Sequence, residues 1–256
     1  MSPQGDIKVS REGQVLVMVI DRPEVRNAVD GATSRALAEA VAVLEADPEL
    51  RVGILTGAGG NFSSGMDLKA FLAGDSPDLA GRGIGGITTK PPSKPLIAAV
   101  EGWALAGGFE MVLACDLVVA ARSARFGLPE VKRSLIAAGG GLIRLTRAIP
   151  RALAMEMILT GDPIDAESAA AAGLVNKLVA DGEALTAALE LAERIVANGP
   201  IAVEASKEIA VRSFGKDEED AFASQAPVRE RVLASEDAQE GLHSFVEKRP
   251  PRWRGV

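Results

Sequence analysis

Short runs of apolar, largely β-forming residues alternate with helical patterns through the first half of this chain. The clearest runs are VLVMVI at 15–20, VGILT at 52–56, LIAAV at 96–100 and LVVAA at 117–121. Between the first two runs, Leu37, Val41 and Leu44 recur at the spacing of one helical face over residues 30–46. This alternation predicts a layered α/β domain with buried strands.

Helical periodicity dominates the chain after about residue 140. The predicted helices are 103–114, within the first half, and then 141–160, 165–173, 183–198, 200–212, 217–234 and 236–246. The Asn-Gly-Pro sequence at 198–200 is the strongest break between them. We therefore predict a core domain over residues 1–198 and a C-terminal helical region over residues 199–256.

Residues 72–93 have weak periodicity and are rich in Gly, Pro and Asp. A long segment of this kind inside a compact domain predicts a mobile loop that acts as a lid or binding element.

The composition excludes several classes of site. One cysteine and one histidine in 256 residues cannot form an internal disulfide or a zinc site of thiolates and imidazoles. A net charge of -7 argues against general affinity for nucleic acid or anionic membrane. Seven Phe, two Trp and no Tyr are too few for base-stacking surfaces. We expect no metal, no nucleic acid and no membrane partner.

The most apolar region, 96–121, is interrupted by Glu101, Glu110 and Asp116, so it does not predict a membrane span. Residues 1–14 lack the apolar stretch of a signal peptide. The sequence therefore predicts a cytoplasmic protein.

The glycine-rich segment TGAGGNFSSG follows a predicted strand, as a nucleotide-binding loop would. It fails the dinucleotide pattern because Phe62 occupies the third glycine position, and it contains neither a Walker sequence nor a nucleophile elbow. On its own residues, a tight glycine turn is the favoured interpretation. His243 and Cys115 have no neighbouring catalytic pattern, so packing or surface roles are favoured for both.

Glu110 and Glu130 stand out among the charged residues. Glu110 lies in WALAGGFEMVLAC, where burial should raise the pKa of its carboxyl, and Glu130 follows the turn-like FGLP. Two carboxylates in unlike environments are one way to obtain a general acid and a general base without histidine. The alternative is that each caps a helix or pairs with a nearby cation. The candidate cations are Arg125, Lys132 and Arg133.

Gly107 and Gly108 precede Glu110 where a turn leads into the predicted helix. Free N–H groups and the positive end of a helix dipole would stabilise an anion there. Such amides beside a partly buried carboxylate suit chemistry through an enolate.

With these residues in view, the chain resembles the crotonase, or enoyl-CoA hydratase, superfamily. The resemblance rests on six segments in the family's order: DRPEVRNAV, LTGAGGNFSSGMDLK, KPLIAAVEGWALAGGFEMVLACDLVVAA, FGLPEVK, LTGDPIDAESAAAAGLVNKLV and SEDAQEGLHSFVEKRPPRW. It implies an α/β fold, a spiral of β-β-α units with a C-terminal helical oligomerisation region. It also implies a homotrimer or a dimer of trimers that binds acyl-CoA thioesters.

The resemblance also implies the roles of the site residues. The amides of Met66 and Gly107 would form the oxyanion hole, Glu110 would activate water, and Glu130 would deliver a proton to C2. No metal or redox cofactor is implied, since coenzyme A is part of the substrate. The CoA-binding positions would be Arg26, Ala28, Ser64, Asp67, Leu68 and Lys69, with Phe245 and Lys248 reaching CoA in a neighbouring subunit. For Arg26, Lys69 and Lys248, a solvated surface charge is an equal alternative.

Four residues depart from the family pattern. Ala137-Ala138 replace Pro-Gly near the catalytic water, Met66 replaces a common alanine, and Ala106 replaces a glycine. The predicted function is that of an enoyl-CoA hydratase acting on 2-enoyl-CoA. The alternatives are an enoyl-CoA isomerase, a carnitinyl-CoA-type dehydratase, or a non-catalytic acyl-CoA binding protein.

Overall fold

A computed structural model describes residues 6–256 of the chain. The strands are β1 (Ile7–Glu12), β2 (Val15–Ile20), β3 (Val52–Gly57), β4 (Asp78–Leu79), β5 (Gly83–Ile84), β6 (Leu96–Val100), β7 (Trp103–Leu105), β8 (Leu117–Ala121), β9 (Arg125–Gly127), β10 (Ile164–Asp165) and β11 (Lys177–Val179). The helices are α1 (Gly31–Ala46), α2 (Leu68–Leu72), α3 (Gly107–Ala114), α4 (Gly141–Ala148), α5 (Arg151–Thr160), α6 (Ala166–Ala171), α7 (Ala184–Val196), α8 (Pro200–Ser213), α9 (Glu218–Leu233) and α10 (Glu236–Glu247). Short 3-10 helices occur at Pro23–Val25 and Pro129–Arg133.

The main sheet has six strands in the order β1-β2-β3-β6-β8-β11. Only the β1–β2 pair is antiparallel, and every other neighbouring pair is parallel. Helix α1 covers one face of the sheet with Leu37, Val41 and Leu44, and α7 covers the other with small residues such as Ala188. Strands that are buried on both faces have continuous apolar sequences. The apolar runs of this chain therefore predicted these strands correctly.

A second sheet, in the order β10-β9-β7, lies where consecutive strands leave the main sheet. Strand β6 belongs to the main sheet, the next strand, β7, belongs to the second sheet, and helix α3 follows. In the same way, β8 belongs to the main sheet and β9 to the second sheet. This confirms the predicted α/β fold of β-β-α units followed by C-terminal helices.

The predicted helix at 103–114 is wrong in its first part. Residues Trp103–Leu105 form β7, because they pair in parallel with β9 and also bond to the backbone of Ser63: Ser63 N donates to Trp103 O, and Leu105 N donates to Ser63 O. Helix α3 begins only at Gly107. The predicted helix at 141–160 is likewise two helices, since Pro150 separates α4 from α5.

The segment 72–93, predicted to be a mobile lid or binding element, is docked on the domain in the structure. Ser34 on α1 holds it twice, donating through Oγ to Pro77 O at 2.6 Å and accepting from Gly85 N at 3.0 Å. Strands β4 and β5 pair within it, and Ile87 is fully buried. The docked segment brings Ile84 against Gly107.

Helix α8 begins at Pro200, one residue after the Asn198-Gly199 break. The C-terminal region is fastened to the rest of the chain by Lys207, which donates to Asp116 at 2.6 Å, and by Trp253, whose Nε1 donates to Ala197 O at 2.8 Å. Among residues 6–256, no helix is both long and apolar enough to cross a membrane.

Candidate active site

Ser63 anchors the glycine-rich segment next to helix α3. Its Oγ donates to Asn27 O at 2.8 Å and accepts from Gly65 N at 3.1 Å. A Cβ on Gly108 would lie 2.4 Å from Ser63 O, so only glycine allows this approach. The segment after β3 and the start of α3 are therefore held in direct contact, and the tight-turn interpretation of TGAGGNFSSG is correct for its fold.

The amides of Met66 and Gly107 point into a common space. Val29 donates to Gly65 O and accepts from Asp67 N, which leaves the Met66 N–H between these two bonds. Gly107 is the first residue of α3, so its N–H has no partner within the helix. Within residues 6–256 neither amide donates to a protein acceptor, and a Cβ on Gly107 would lie 3.7 Å from Met66 N. Two such donors, one of them at the N-terminus of α3, have the chemistry to bind a developing oxyanion.

Ala106 joins β7 to α3 with a backbone conformation that L-residues rarely adopt. Its φ is 49° and its ψ is -129°. Its N–H donates to Gly127 O at 2.9 Å, and a Cβ on Gly65 would lie only 2.8 Å from the Ala106 methyl. Ala106 thus stores strain beside the amide of Gly107.

Glu110 faces the same space from the next turn of α3. Its side chain is 1% exposed, and Oε1 accepts the Gly141 N–H at 2.9 Å. Burial raises the pKa of Glu110, while the N–H groups of Gly141 and Gly139 and the charge of Arg144 act in the opposite direction. The turn after Ala137-Ala138 therefore supplies donors to this carboxylate.

Glu130 lies in the first turn of the 129–133 helix and is half-buried. Within the described residues its Oε2 is buried without a hydrogen-bond partner. Burial, followed by the nearby negative charge of Glu110, raises the pKa of Glu130 to about 7, although its own backbone N–H and Arg133 oppose the shift.

Of the alternative structural roles of the two glutamates, ion pairing is not observed within residues 6–256, whereas Glu110 does accept the N–H of Gly141 at the start of α4, as a capping side chain would. Lys132 pairs with Asp162, and Arg125 donates to the carbonyl of Ala124. Across residues 6–256, neither Glu110 nor Glu130 forms an ion pair within 4.0 Å. The two carboxylates are instead close enough for one to raise the pKa of the other.

The predicted CoA-binding residues of the first half lie together beside this site. Ser64 N donates to Arg26 O at 3.0 Å, and Ser64 Oγ contacts Val25 O at 3.4 Å. Arg26 is exposed with a left-handed φ of 53°, whereas Ala28 is buried and its carbonyl accepts from Arg22.

Leu68 and Lys69 are exposed on the first turn of α2. Asp67 is occupied structurally, because it caps that helix and pairs with Arg22 at 3.3 Å. Its carboxylate therefore positions Leu68 and Lys69.

Phe245 and Lys248 lie elsewhere, at the end of α10. Phe245 is 85% exposed, and Lys248 ends the helix in a left-handed conformation. No hydrogen bond or ion pair within residues 6–256 connects either residue to the site. Their expected contact with CoA bound to a neighbouring subunit stays a prediction.

Sequence reasoning missed several residues that build the site. Asn27 is fully buried, donates to Ala58 O and Asn61 O, and accepts from Arg22 N. Arg144 lies behind the 139–141 turn and influences Glu110. No local pattern singled out Arg144, because α4 also contains Thr146 and Arg147. The left-handed φ of 56° at Asn27 had no sequence signal beyond its residue type.

Three comparisons with known proteins agree. The family model "Enoyl-CoA hydratase/isomerase" matches residues 10–256. A carnitinyl-CoA dehydratase from Salmonella arizonae is 42% identical over 257 aligned residues, covering 97% of this chain and 98% of the relative. Crystal structures of enoyl-CoA hydratases from Mycobacterium tuberculosis and Mycobacterium marinum both superpose with a TM-score of 0.96, at 52% and 54% identity, covering 98% of this chain and 99% of each relative.

Proposed function

Because this chain belongs to the enoyl-CoA hydratase/isomerase family of the crotonase superfamily, we propose that it is a hydro-lyase acting on 2-enoyl-CoA thioesters. It adds water reversibly across the 2,3-double bond. The observation that carries this proposal is the juxtaposition of two partnerless amides, at Met66 and Gly107, with two carboxylates in different environments, at Glu110 and Glu130.

The thioester carbonyl oxygen accepts from the N–H groups of Met66 and Gly107. As water adds, the electron pair of the double bond moves onto this oxygen and forms an enolate, so the two donors bind the transition state more strongly than the substrate. The N-terminal dipole of α3 adds to the effect. One such donor is typically worth about 3–4 kcal/mol of activation free energy.

The two glutamates move the protons. Glu110, whose ionised form is stabilised by the amides of the 139–141 turn, takes a proton from water as the oxygen bonds to C3. Glu130, with a pKa of about 7, gives its proton to C2 of the enolate. Return of a proton from Glu110 to Glu130 restores the starting state, and the reverse sequence dehydrates a 3-hydroxyacyl thioester.

The coenzyme A part of the substrate lies along the loop at 25–28 and the start of α2. Exposed Arg26 and Lys69 supply positive charge for its phosphates, and Ser64 supplies polar contact. Ala28 and Leu68 supply backbone and apolar contact, and Asp67 holds the start of α2 in place.

The remaining parts of the proposal concern assembly and setting. We infer a homotrimer or a dimer of trimers in which Phe245 and Lys248 complete the CoA site of a neighbour. The reaction needs neither metal nor redox cofactor, because carboxylates and amides carry every step. Among residues 6–256, no cluster of three or more His, Cys, Asp or Glu is arranged to hold a metal ion. The cytoplasm is the proposed location.

A dehydratase of a functionalised acyl-CoA is the second candidate, favoured by the carnitinyl-CoA dehydratase that is 42% identical. Isomerase chemistry shifts one proton between carbons and needs a single carboxylate, so two carboxylates favour hydration.

A turnover screen with purified protein tests the proposal directly. Crotonyl-CoA and longer, branched and C4-functionalised enoyl-CoA thioesters are compared by the loss of enoyl-thioester absorbance and by product analysis. We expect hydration of at least one 2-enoyl-CoA. Double-bond migration without water addition would identify an isomerase. Tight acyl-CoA binding without turnover of any thioester would identify a binding protein.

A further inference from the structure

A cationic side chain stands directly behind the turn that supports Glu110. Arg144, in the first turn of α4, donates from Nη1 to Gly139 O at 3.3 Å. A Cβ on Gly140 would lie 2.3 Å from the same Nη1, so the guanidinium rests against the Cα of Gly140. The 139–141 turn thus lies between Arg144 and Glu110, with amides directed to the carboxylate and a carbonyl directed to the guanidinium.

Arg144 is half-buried but has no carboxylate within ion-pair distance among residues 6–256. Burial lowers its pKa, and the negative charge of Glu110 is the principal effect opposing that shift. A partly buried guanidinium that lacks an ion-pair partner among residues 6–256 is destabilising unless nearby carbonyls and negative charges compensate it. The positive charge of Arg144 acts to lower the pKa of Glu110 and so favours its ionised form.

We propose that Arg144 is a positioning residue of the active site, which fixes the 139–141 turn and keeps the Glu110 carboxylate ionised across that turn. This inference rests on the proposed hydratase function. It assigns Arg144 no contact with the substrate. Its effect is on the proton affinity and orientation of Glu110, and therefore on activation of water.

Few charged groups surround Glu110, so the effect of each on its carboxylate can be tested separately. Arg144 faces it from α4 and Glu130 from the 129–133 helix. Arg147, one turn further along α4, is exposed and lies 4.7 Å from the ring centroid of Phe214. Arg147 contributes to lowering the pKa of Arg144 but is not among the groups that shift the pKa of Glu110. It therefore serves as a matched control, a cation of the same type on the same helix.

Arg144 also lines a cavity of about 1110 Å³ that runs between the end of α1, the end of α3 and helix α8. Removing the side chain would leave space that opens into this cavity. A small guanidinium ion could therefore enter from solvent and occupy the position of the missing group.

The experiment measures the pH dependence of kcat/KM for the enoyl-CoA that the wild type hydrates best. In Arg144→Met we expect the acidic limb to move up by about one pH unit, because a positive charge near Glu110 is lost. We expect kcat to fall about tenfold or more, with KM within about twofold. Arg144→Lys should keep the limb within a few tenths of a unit of wild type, and Arg147→Met should leave the profile unchanged.

Chemical rescue separates this role from a purely structural one. Added ethylguanidinium should restore part of kcat in Arg144→Ala and return the acidic limb toward wild type, with no effect on wild type. Native-like circular dichroism of the variants confirms folding.

If the wild type hydrates its substrate but the acidic limb of Arg144→Met stays unshifted, the inference is wrong. A variant that folds poorly and shows no rescue also overturns it in favour of a structural role. If the wild type hydrates no enoyl-CoA, the proposed function itself fails.

Discussion

The backbone N–H of Gly141 donates a 2.9 Å hydrogen bond to Oε1 of Glu110. This contact stabilises the ionised form of a carboxylate that is otherwise buried in an apolar helix. Oε2 of Glu130 has no comparable donor among the described residues. The proposed roles of base and acid for two identical side chains rest on this difference in environment.

The pH dependence of hydration should show a basic limb near neutrality. Glu130 must be protonated to donate, and its pKa is raised to about 7, chiefly by burial. Its protonated fraction falls as pH rises through that value, so kcat/KM should fall above about pH 7. A profile that stays flat well above pH 8, once substrate hydrolysis is subtracted, would contradict the assignment.

Glu110→Gln should lower the pKa of Glu130, because it removes the negative charge that contributes to the upward shift. The carboxyl resonance of Glu130 in ¹³C-labelled protein reports this titration, and Glu130→Gln identifies the resonance. An unchanged or higher pKa in Glu110→Gln would show that the two carboxylates are not coupled.

Glu130 should also affect stability in a pH-dependent way. The pKa of Glu130 in the folded protein lies above the ordinary value of 4.5, so the folded protein binds this proton more tightly than the unfolded chain. The resulting stabilisation is fully present below pH 4.5 and is lost as the pH rises through about 7. Glu130→Gln should therefore raise the Tm relative to wild type more at about pH 8.5 than at about pH 5.5. The opposite order would mean that the ionised carboxylate stabilises the fold.

Gly139→Ala should damage both stability and catalysis. A Cβ there would lie 2.7 Å from Glu110 Oε2, so the carboxylate or the turn must move. We expect a loss of about 1–3 kcal/mol in the free energy of unfolding and about a hundredfold in kcat. Gly241→Ala in α10, whose new methyl would lie 3.4 Å from Trp253, should be neutral or stabilising. Full activity of Gly139→Ala would remove this turn from the catalytic account.

Ala106→Gly should raise the thermal stability of the protein. The φ of 49° with ψ of -129° is unfavourable for alanine and accessible to glycine. Relief of strain outweighs the added chain entropy of the unfolded state, so we expect a net gain of about 1 kcal/mol and a Tm about 2–4 °C higher. A lower Tm in differential scanning calorimetry would show that the Ala106 methyl contributes more by packing than its backbone costs.

The apolar runs at 15–20, 52–56, 96–100 and 117–121 predicted the central strands well, because strands buried on both faces need continuous apolar residues. Strand β7 could not be found from its sequence. Trp103–Leu105 is extended because it pairs with β9 and with Ser63, which lies about forty residues earlier in the chain. Local patterns carry no information on such pairing.

The candidate site likewise contains residues that the sequence indicated and residues that it could not indicate. Glu110 and Glu130 stood out as charges in apolar or turn-like surroundings, Gly107 stood out at the predicted start of a helix, and the resemblance added Met66 as the second proposed donor. The contribution of Arg144 was not identifiable, because it depends on the close approach of α4 to a glycine turn. Docking of residues 72–93 onto α1 also depends on tertiary contacts, among them those of the Ser34 hydroxyl, the Gly31 amide and the Glu45 carboxylate.

Steady-state hydration of crotonyl-CoA by the wild type, Glu110→Gln and Glu130→Gln tests the central claim most directly. The account predicts turnover by the wild type and a loss of about 10²–10⁴ in kcat in each variant. Acyl-CoA affinity by calorimetry should stay within a fewfold, because neither carboxylate is assigned to the CoA moiety. Full turnover in either variant, or no hydration of any enoyl-CoA by the wild type, would contradict it.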